Sequence, residues 1–371
     1  MGLIDFSSAP LREPAECVIK VDGEEIMALY PYLTEVTVDS SRERGSEATL
    51  HFESRRDERG RWAVQDEEVF VPWKRITIDA AFGTTTEAIL EGFVQQLSAS
   101  YPEDQGGATV VVTCRDVSFQ CDREHVRKSW GDEQQPVSDT EIVQEIVVSR
   151  QHLQLAPGNG PGQTGLVKQG QDGTDIEFLK QRARANGYEL LFEGSTVYFG
   201  PMRVAEPTPQ PTIMVYAGPD TNCLSFSVSG DGHAPDQVAF ELAAAEGSAT
   251  EPVAVTPDLD AMGTTSADSS SAGLDDFVWR LSREGPRSSK DELTVLAQGK
   301  ANEFAMKVKA TGELDGSLYG HVLRVGHPVG VDGVGNWLGG TYYVDTVKHR
   351  FSTEGYRQAF TLLRNAYGDN L

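Results

Sequence analysis

The stretch Gly92-Phe93-Val94-Gln95-Gln96-Leu97-Ser98-Ala99-Ser100-Tyr101 lies over Tyr342-Tyr343-Val344-Asp345-Thr346-Val347-Lys348-His349-Arg350-Phe351 near the other end of the chain. Aromatic and aliphatic positions coincide at Phe93/Tyr343, Val94/Val344, Leu97/Val347 and Tyr101/Phe351. Each copy is followed by an acidic turn and a second strand, Thr109 to Arg115 in the first and Gln358 to Arg364 in the second. The period is far longer than a solenoid unit, so the repeat predicts domain duplication, two barrels flanking an α/β insert. Any two amphipathic hairpins can be laid over each other, so chance likeness is the competing explanation.

Outward from the first copy, apolar residues recur at every second position: Val36 and Val38; Ala48, Leu50 and Phe52; Val69 and Val71; Ile76, Ile78 and Ala80. That period predicts half-buried antiparallel strands from Cys17 to about Asp122, broken by turns such as Arg56 to Gly60 and Pro102 to Gly107, hence a small barrel or sandwich. The pattern changes after Trp130. Ser138-Asp139-Thr140-Glu141 and Thr174-Asp175-Ile176-Glu177 are capping boxes that open two helices, the second with Ile176, Leu179 and Ala183 on one face and Gly187 at its stop. Tyr188 to Phe192, the turn Glu193-Gly194-Ser195 and Thr196 to Phe199 read as a hairpin.

Pro207, Pro209 and Pro211 cannot continue a ladder, which places a boundary there. Strands are expected again at Thr212 to Tyr216 and Leu224 to Val228. From Glu241 to Trp279 the chain has no Lys or Arg and is rich in Gly, Ser, Thr, Ala and Asp, with Ser269-Ser270-Ser271 in the middle. This composition predicts a mobile loop or linker. Ser289-Lys290-Asp291-Glu292 opens a third helix with Leu293, Leu296, Lys300 and Phe304 along one stripe.

The 371 residues suffice for two to three domains. With 32 Lys and Arg against 56 Asp and Glu the net charge is −24, a field that repels nucleic acid and anionic lipid. No run reaches the length of a membrane span, the first residues resemble no export signal, and Phe6 breaks the myristoylation pattern begun by Met1-Gly2. Synthesis in the cytoplasm is expected. Four cysteines, Cys17, Cys114, Cys121 and Cys223, are too sparse for a disulfide framework and read as reduced, mostly buried residues.

Motifs for chemistry are weak. Gly160 to Gly165 satisfies GxGxxG, but no helix begins within it, and no GxxxxGK[ST] is present. Cys114, Cys121 and His125 lack the spacing and the fourth ligand of a structural metal site. HExxH and GxSxG are absent, Gly230-Asp231-Gly232-His233 reads as a polar turn, and no carboxylate pair is singled out for glycoside cleavage. No residue is assigned as catalytic, cofactor-binding or metal-ligating, and no cofactor is expected.

Two stretches carry a family resemblance. Thr174 to Leu190, with Val197-Tyr198-Phe199-Gly200-Pro201, resembles the helix-hairpin signature of phage late control protein D and of the hub part of VgrG. Gly340 to His349, with Gly355 to Phe360 and Arg364, resembles the closing strands of the same family; Leu224 to Val228 and Leu323 to Val329 are weaker matches. The resemblance implies a fold that is mainly β with an α/β insert, two similar small tube-like β-barrels flanking a helix-hairpin middle domain. The expected divisions are 1–125, 126–206 and 207–371, the last with a flexible acidic insertion near 246–285. It also implies a non-enzymatic baseplate hub of contractile tails and injection systems, assembled into the particle as a homotrimer. Its partners would be a trimeric spike, the first ring of a hexameric inner tube and other baseplate components, with no membrane or specific nucleic-acid binding. Three copies of two barrels make six, which reconciles a six-fold tube with a three-fold spike. The chain stops at Leu371, where full-length VgrG continues into a needle. A cofactor-dependent or hydrolytic enzyme and a β-rich fibre or receptor-binding protein of the same particle are the alternatives.

Overall fold

The computed structural model describes residues 14–103, 107–206, 210–241, 252–268, 273–281 and 290–371. The Met1-Gly2 start, Pro207 and Pro209, Ser269 to Ser271 and Ser289 lie outside them. The first part of the chain forms β1 (Ala15–Val21), β2 (Glu24–Glu25), β3 (Leu33–Ser41), β4 (Glu47–Ser54), β5 (Arg75–Phe82), β6 (Thr85–Ser100) and β7 (Ala108–Asp116). The middle forms β8 (His125–Trp130), α1 (Asp139–Val148), β9 (Gln154–Leu155), β10 (Gln169–Thr174), α2 (Asp175–Asn186), β11 (Glu189–Glu193) and β12 (Thr196–Gly200). The last part forms β13 (Gln210–Met214), β14 (Cys223–Gly230), β15 (Gln237–Glu241), β16 (Pro252–Val255), β17 (Thr265–Ser266), β18 (Val278–Arg280), α3 (Lys290–Ala305), β19 (Val308–Asp315), α4 (Gly316–Tyr319), β20 (Pro328–Asp332), β21 (Gly340–Ser352), β22 (Gly355–Arg364) and β23 (Ala366–Tyr367). The protein is mainly β with an α/β insert.

One 13-stranded sheet carries both ends of the chain. In the first half the strands pair in the order β3-β4-β7-β6-β5-β1, and in the second in the order β14-β19-β22-β21-β20-β13. Matching strands occur in the same chain order. The registers agree as well. Gln95 is a bulge between the pairs Val94↔Cys114 and Gln96↔Thr113, and Asp345 is a bulge between Val344↔Leu362 and Thr346↔Thr361. Thr34 is skipped between Leu33↔Phe52 and Glu35↔His51, as Leu224 is between Cys223↔Leu314 and Ser225↔Glu313. Bulges bend a strand at a fixed place, so two shared bulges are a strong mark of common architecture. Phe93 and Tyr343 therefore stand at equivalent positions, as do Leu97 and Val347. The last strand departs: β1 runs antiparallel to β5, whereas β13 runs parallel to β20. Rather than standing as separate sheets, the halves are joined where β21 pairs with β3, from Thr346↔Ser41 to Phe351↔Val36.

The alternating residues of the first half are where their period puts them: Val36, Val38, Ala48, Leu50, Phe52, Ile76, Ile78 and Ala80 are all buried in one core. Val69 and Val71 are not in a strand. Pro72 supplies no amide, Glu68 and Trp73 take left-handed backbone angles (φ 54 and 73), and Val71 is exposed. Strand β13 begins earlier than the expected Thr212 and ends before Tyr216, whose φ is 51 and which is fully solvated.

Both capping boxes of the insert form as their sequences require, with Ser138 and Thr174 accepting from the third amide of their helices and Glu141 and Glu177 reaching back. Gly187 ends α2 at φ 62, and β11 and β12 make the hairpin. The insert has its own core, in which Leu179 is fully buried beside Ile142, Val147, Val197 and Phe199. Tyr188 is only half-buried, its ring edge-on to Phe199 at 5.3 Å.

Within the stretch expected to be a flexible insertion, the described residues carry secondary structure. Strands β16 and β18 flank β15, and α3 covers them through Ala297 and Ala301. The helix face runs through Leu293, Ala297, Ala301 and Phe304, so the expected stripe keeps Leu293 and Phe304, and the two alanines stand in the place of Leu296 and Lys300; the small side chains let backbone approach backbone. Gly299 of α3 meets Gly187 at the end of α2 so closely that a Cβ on either would stand within 2.4 Å of the other's Cα.

Candidate functional site

The seam between the halves carries a largely buried polar network. Beyond β3, Arg42 donates from Nη1 to Glu189 at 2.8 Å and from Nε to the bulged Asp345 at 2.9 Å, and its amide donates to the Asp345 carbonyl. Tyr343 donates its hydroxyl to Glu189 at 2.6 Å and lies 2.9 Å from the Gly326 carbonyl. Arg203 reaches Glu193 at 2.5 Å, and His327 lies between Glu206 (2.6 Å) and Glu193 (3.1 Å). Thus β3, the hairpin of the insert and β21 are tied by one network.

The electrostatics follow from burial against pairing. Burial opposes ionisation of Glu193, but the hydrogen bonds and charges of His327 and Arg203 outweigh it and hold the carboxyl down at about 2. For His327 burial disfavours the cation, and Glu193 and Glu206 overcome it, so its pKa is raised. Burial, then Glu189, pushes the Tyr343 hydroxyl well above its ordinary range. Each of these groups is engaged by a neighbour in the chain. The arrangement fastens elements together.

On its outer face the seam carries Lys348 opposite Asp39 at 3.5 Å and Arg350 paired with Glu35. On its inner face Val36, Val38, His349 and Phe351 are buried. Two comparable strand edges have no strand partner among the described residues: the outer side of β14, and β6 beyond Phe93, where β5 stops pairing.

The motifs flagged in the sequence have structural work. Gly160 donates to the Phe199 carbonyl and Gln163 to Asp139, and a Cβ on Gly162 would stand 2.6 Å from that of Asp139. Buried Asp139 also accepts from Arg182 and Asn186. The glycine-rich loop therefore closes over the end of α1, with those amides occupied. Cys114 and Cys121 are buried and their thiols pushed up to about 12 by desolvation, whereas His125 is exposed beside Asp172. His233 stacks on Phe277 in an exposed turn. Among the described residues no three His, Cys, Asp or Glu side chains gather as metal ligands, and no helix is long and apolar enough to cross a membrane. A cleft of about 100 Å³ at the seam is lined by Ser40, Ser46, Glu91, Asp116, Lys180 and His349 among others.

The seam network was not foreseen from sequence. Arg42, Glu189 and Asp345 lie far apart along the chain, and the one available signal was Tyr343-Val344-Asp345 standing where the first copy has uncharged Gln95.

A family model described as the Alg8 N-terminal domain matches residues 12–353. Sequence comparison with curated proteins finds no match. Among solved structures, the 43 kDa tail protein of prophage MuSo2 from Shewanella oneidensis is similar over 95% of this chain and 98% of its own, with 14% identity and a TM-score of 0.65. A tail protein from Neisseria meningitidis is similar over 95% and 97%, with 12% identity and a TM-score of 0.63. An E. coli component of the type VI secretion system is similar over 95% and 79%, with 12% identity and a TM-score of 0.57. At these identities the likeness establishes the fold.

Proposed function

The chain belongs to the family of the Alg8 N-terminal domain; from its fold and its duplicated strand order we propose that it is a structural baseplate hub of a phage tail or contractile injection system. It acts as a homotrimer that adapts a hexameric inner tube to a trimeric puncturing spike, and it performs no catalysis. The observation that carries this reading is the duplicated strand order with both bulges shared. Two like units per chain, three chains to a ring, present six like surfaces to a tube and three unlike ones to a spike. In this arrangement each half curls into a tube-like barrel, the insert at about 126–206 stands outside, and part of the −24 charge lines a channel to which acidic cargo does not adhere. Neighbours of this fold include tail proteins and a type VI secretion component, which fits assembly into such a particle after synthesis in the cytoplasm.

Light scattering of the purified protein, alone and with its spike partner, tests the reading. Three chains per particle are expected. A monomer at micromolar concentration in both samples would overturn it.

A further inference from the structure

The duplication specifies how copies of this chain join. Inside the chain, β3 pairs with the outer half of β21. The strand equivalent to β3 is β14, and the segment equivalent to Thr346–Phe351 is Gln96–Tyr101. Neither has its counterpart partner among the described residues. We infer that β14 of one copy pairs antiparallel with Gln96–Ser100 of the next, repeating the internal seam between molecules and continuing the sheet around a ring. This inference rests on the hub reading and adds its interface.

Mapping the internal register through the shared bulges sets the intermolecular one: Gln96 opposite Asp231, Leu97 opposite Gly230, Ser98 opposite Ser229, Ala99 opposite Val228 and Ser100 opposite Ser227. The Gly232 amide would donate to the Gln95 carbonyl, as that of Arg42 does to Asp345.

The side chains fit this partner. Where the internal seam sets Lys348 against Asp39 and Arg350 against Glu35, the two edges have Ser98 against Ser229 and Ser100 beside Ser225. Charge has gone from both sides together, and small hydroxyl pairs suit facing strands. On the inner face Val38 and His349 become Val228 and Ala99. Both edges also lack the usual protection of an exposed strand, a Lys, a Pro or an inward charge. In a chain that is 24% charged, residues 94–101 and 222–230 contain no charged side chain, and Leu224 is 52% exposed. Each copy carries one edge of each kind, so contacts are head to tail, and a rotation of one third of a turn between copies closes them into a ring of three.

The test is oxidation of the full chain carrying Ala99→Cys and Val228→Cys, with each single variant as a control for the native cysteines. Covalent species ending at three chains are expected from the double variant and none from the singles. In Ser98→Cys with Val228→Cys, a one-residue slip puts the thiols on opposite faces, and cross-linking should fall at least tenfold. Trimers of the Ala99→Cys, Val228→Cys variant that form without cross-linking, or a preference for the slipped pair, would overturn the seam and leave the hub reading standing. Absence of trimers in the wild-type chain would overturn both.

Discussion

His349 shows how one residue couples the seam to pH. It is fully enclosed on β21 opposite Val38, its Nδ1 2.8 Å from the Tyr356 hydroxyl, and desolvation brings its pKa down to about 3, with the Arg324 charge adding to the effect. The neutral ring is thus the folded form. Between its ordinary value of 6.5 and about 3 the unfolded chain binds a proton that the folded chain does not, so stability falls as pH is lowered through that window. His327 has the opposite sign: its raised pKa contributes stability below 6.5 that is lost as pH rises through the folded value. The comparison that isolates His349 is the urea midpoint of wild type and His349→Gln between pH 7 and 4. The wild type should lose more stability over that range than the variant, and parallel curves would show that the ring is not held neutral.

At the scale of elements, α2 is fastened to its hairpin by Leu179, which is fully buried. Leu179→Ala should cost about 2–5 kcal/mol, read as a lowered denaturation midpoint, and an unchanged midpoint would mean that this face of α2 does not pack as described. Such helices were legible in the sequence because their signals are local: a capping box, a 3.6-residue stripe and a glycine stop all lie within one element. The strands of the first half were legible for the same reason, through their alternation. What could not be read were features that depend on distant segments. The face of α3 is set by the contact of Gly299 with Gly187 and by Ala297 and Ala301 against β15 and β16, and a hydropathy stripe favours the larger Leu296. Likewise β16 and β18 are only four and three residues long, too short to show an alternation, and pairing with β15 gives them a place.

For the whole molecule the decisive features are the repeat and the sheet that joins its copies. The alignment of Phe93 with Tyr343 was legible because aromatic and aliphatic residues recur at the same spacing in both hairpins, even though Tyr101 is exposed where Phe351 is buried, and the structure adds the bulges at Gln95 and Asp345 and the common strand order. The fusion of both halves through β3 and β21 was not legible, since strand pairing between ends of a chain leaves no local mark. The symmetry-adaptor account makes a geometric demand. A three-dimensional image of the purified assembly, resolved well enough to fit the chain, should show a three-fold ring with a pore, in which the two halves alternate at similar distances from the axis with the insert outside them. Halves at clearly different radii, or an assembly without a three-fold axis, would contradict it.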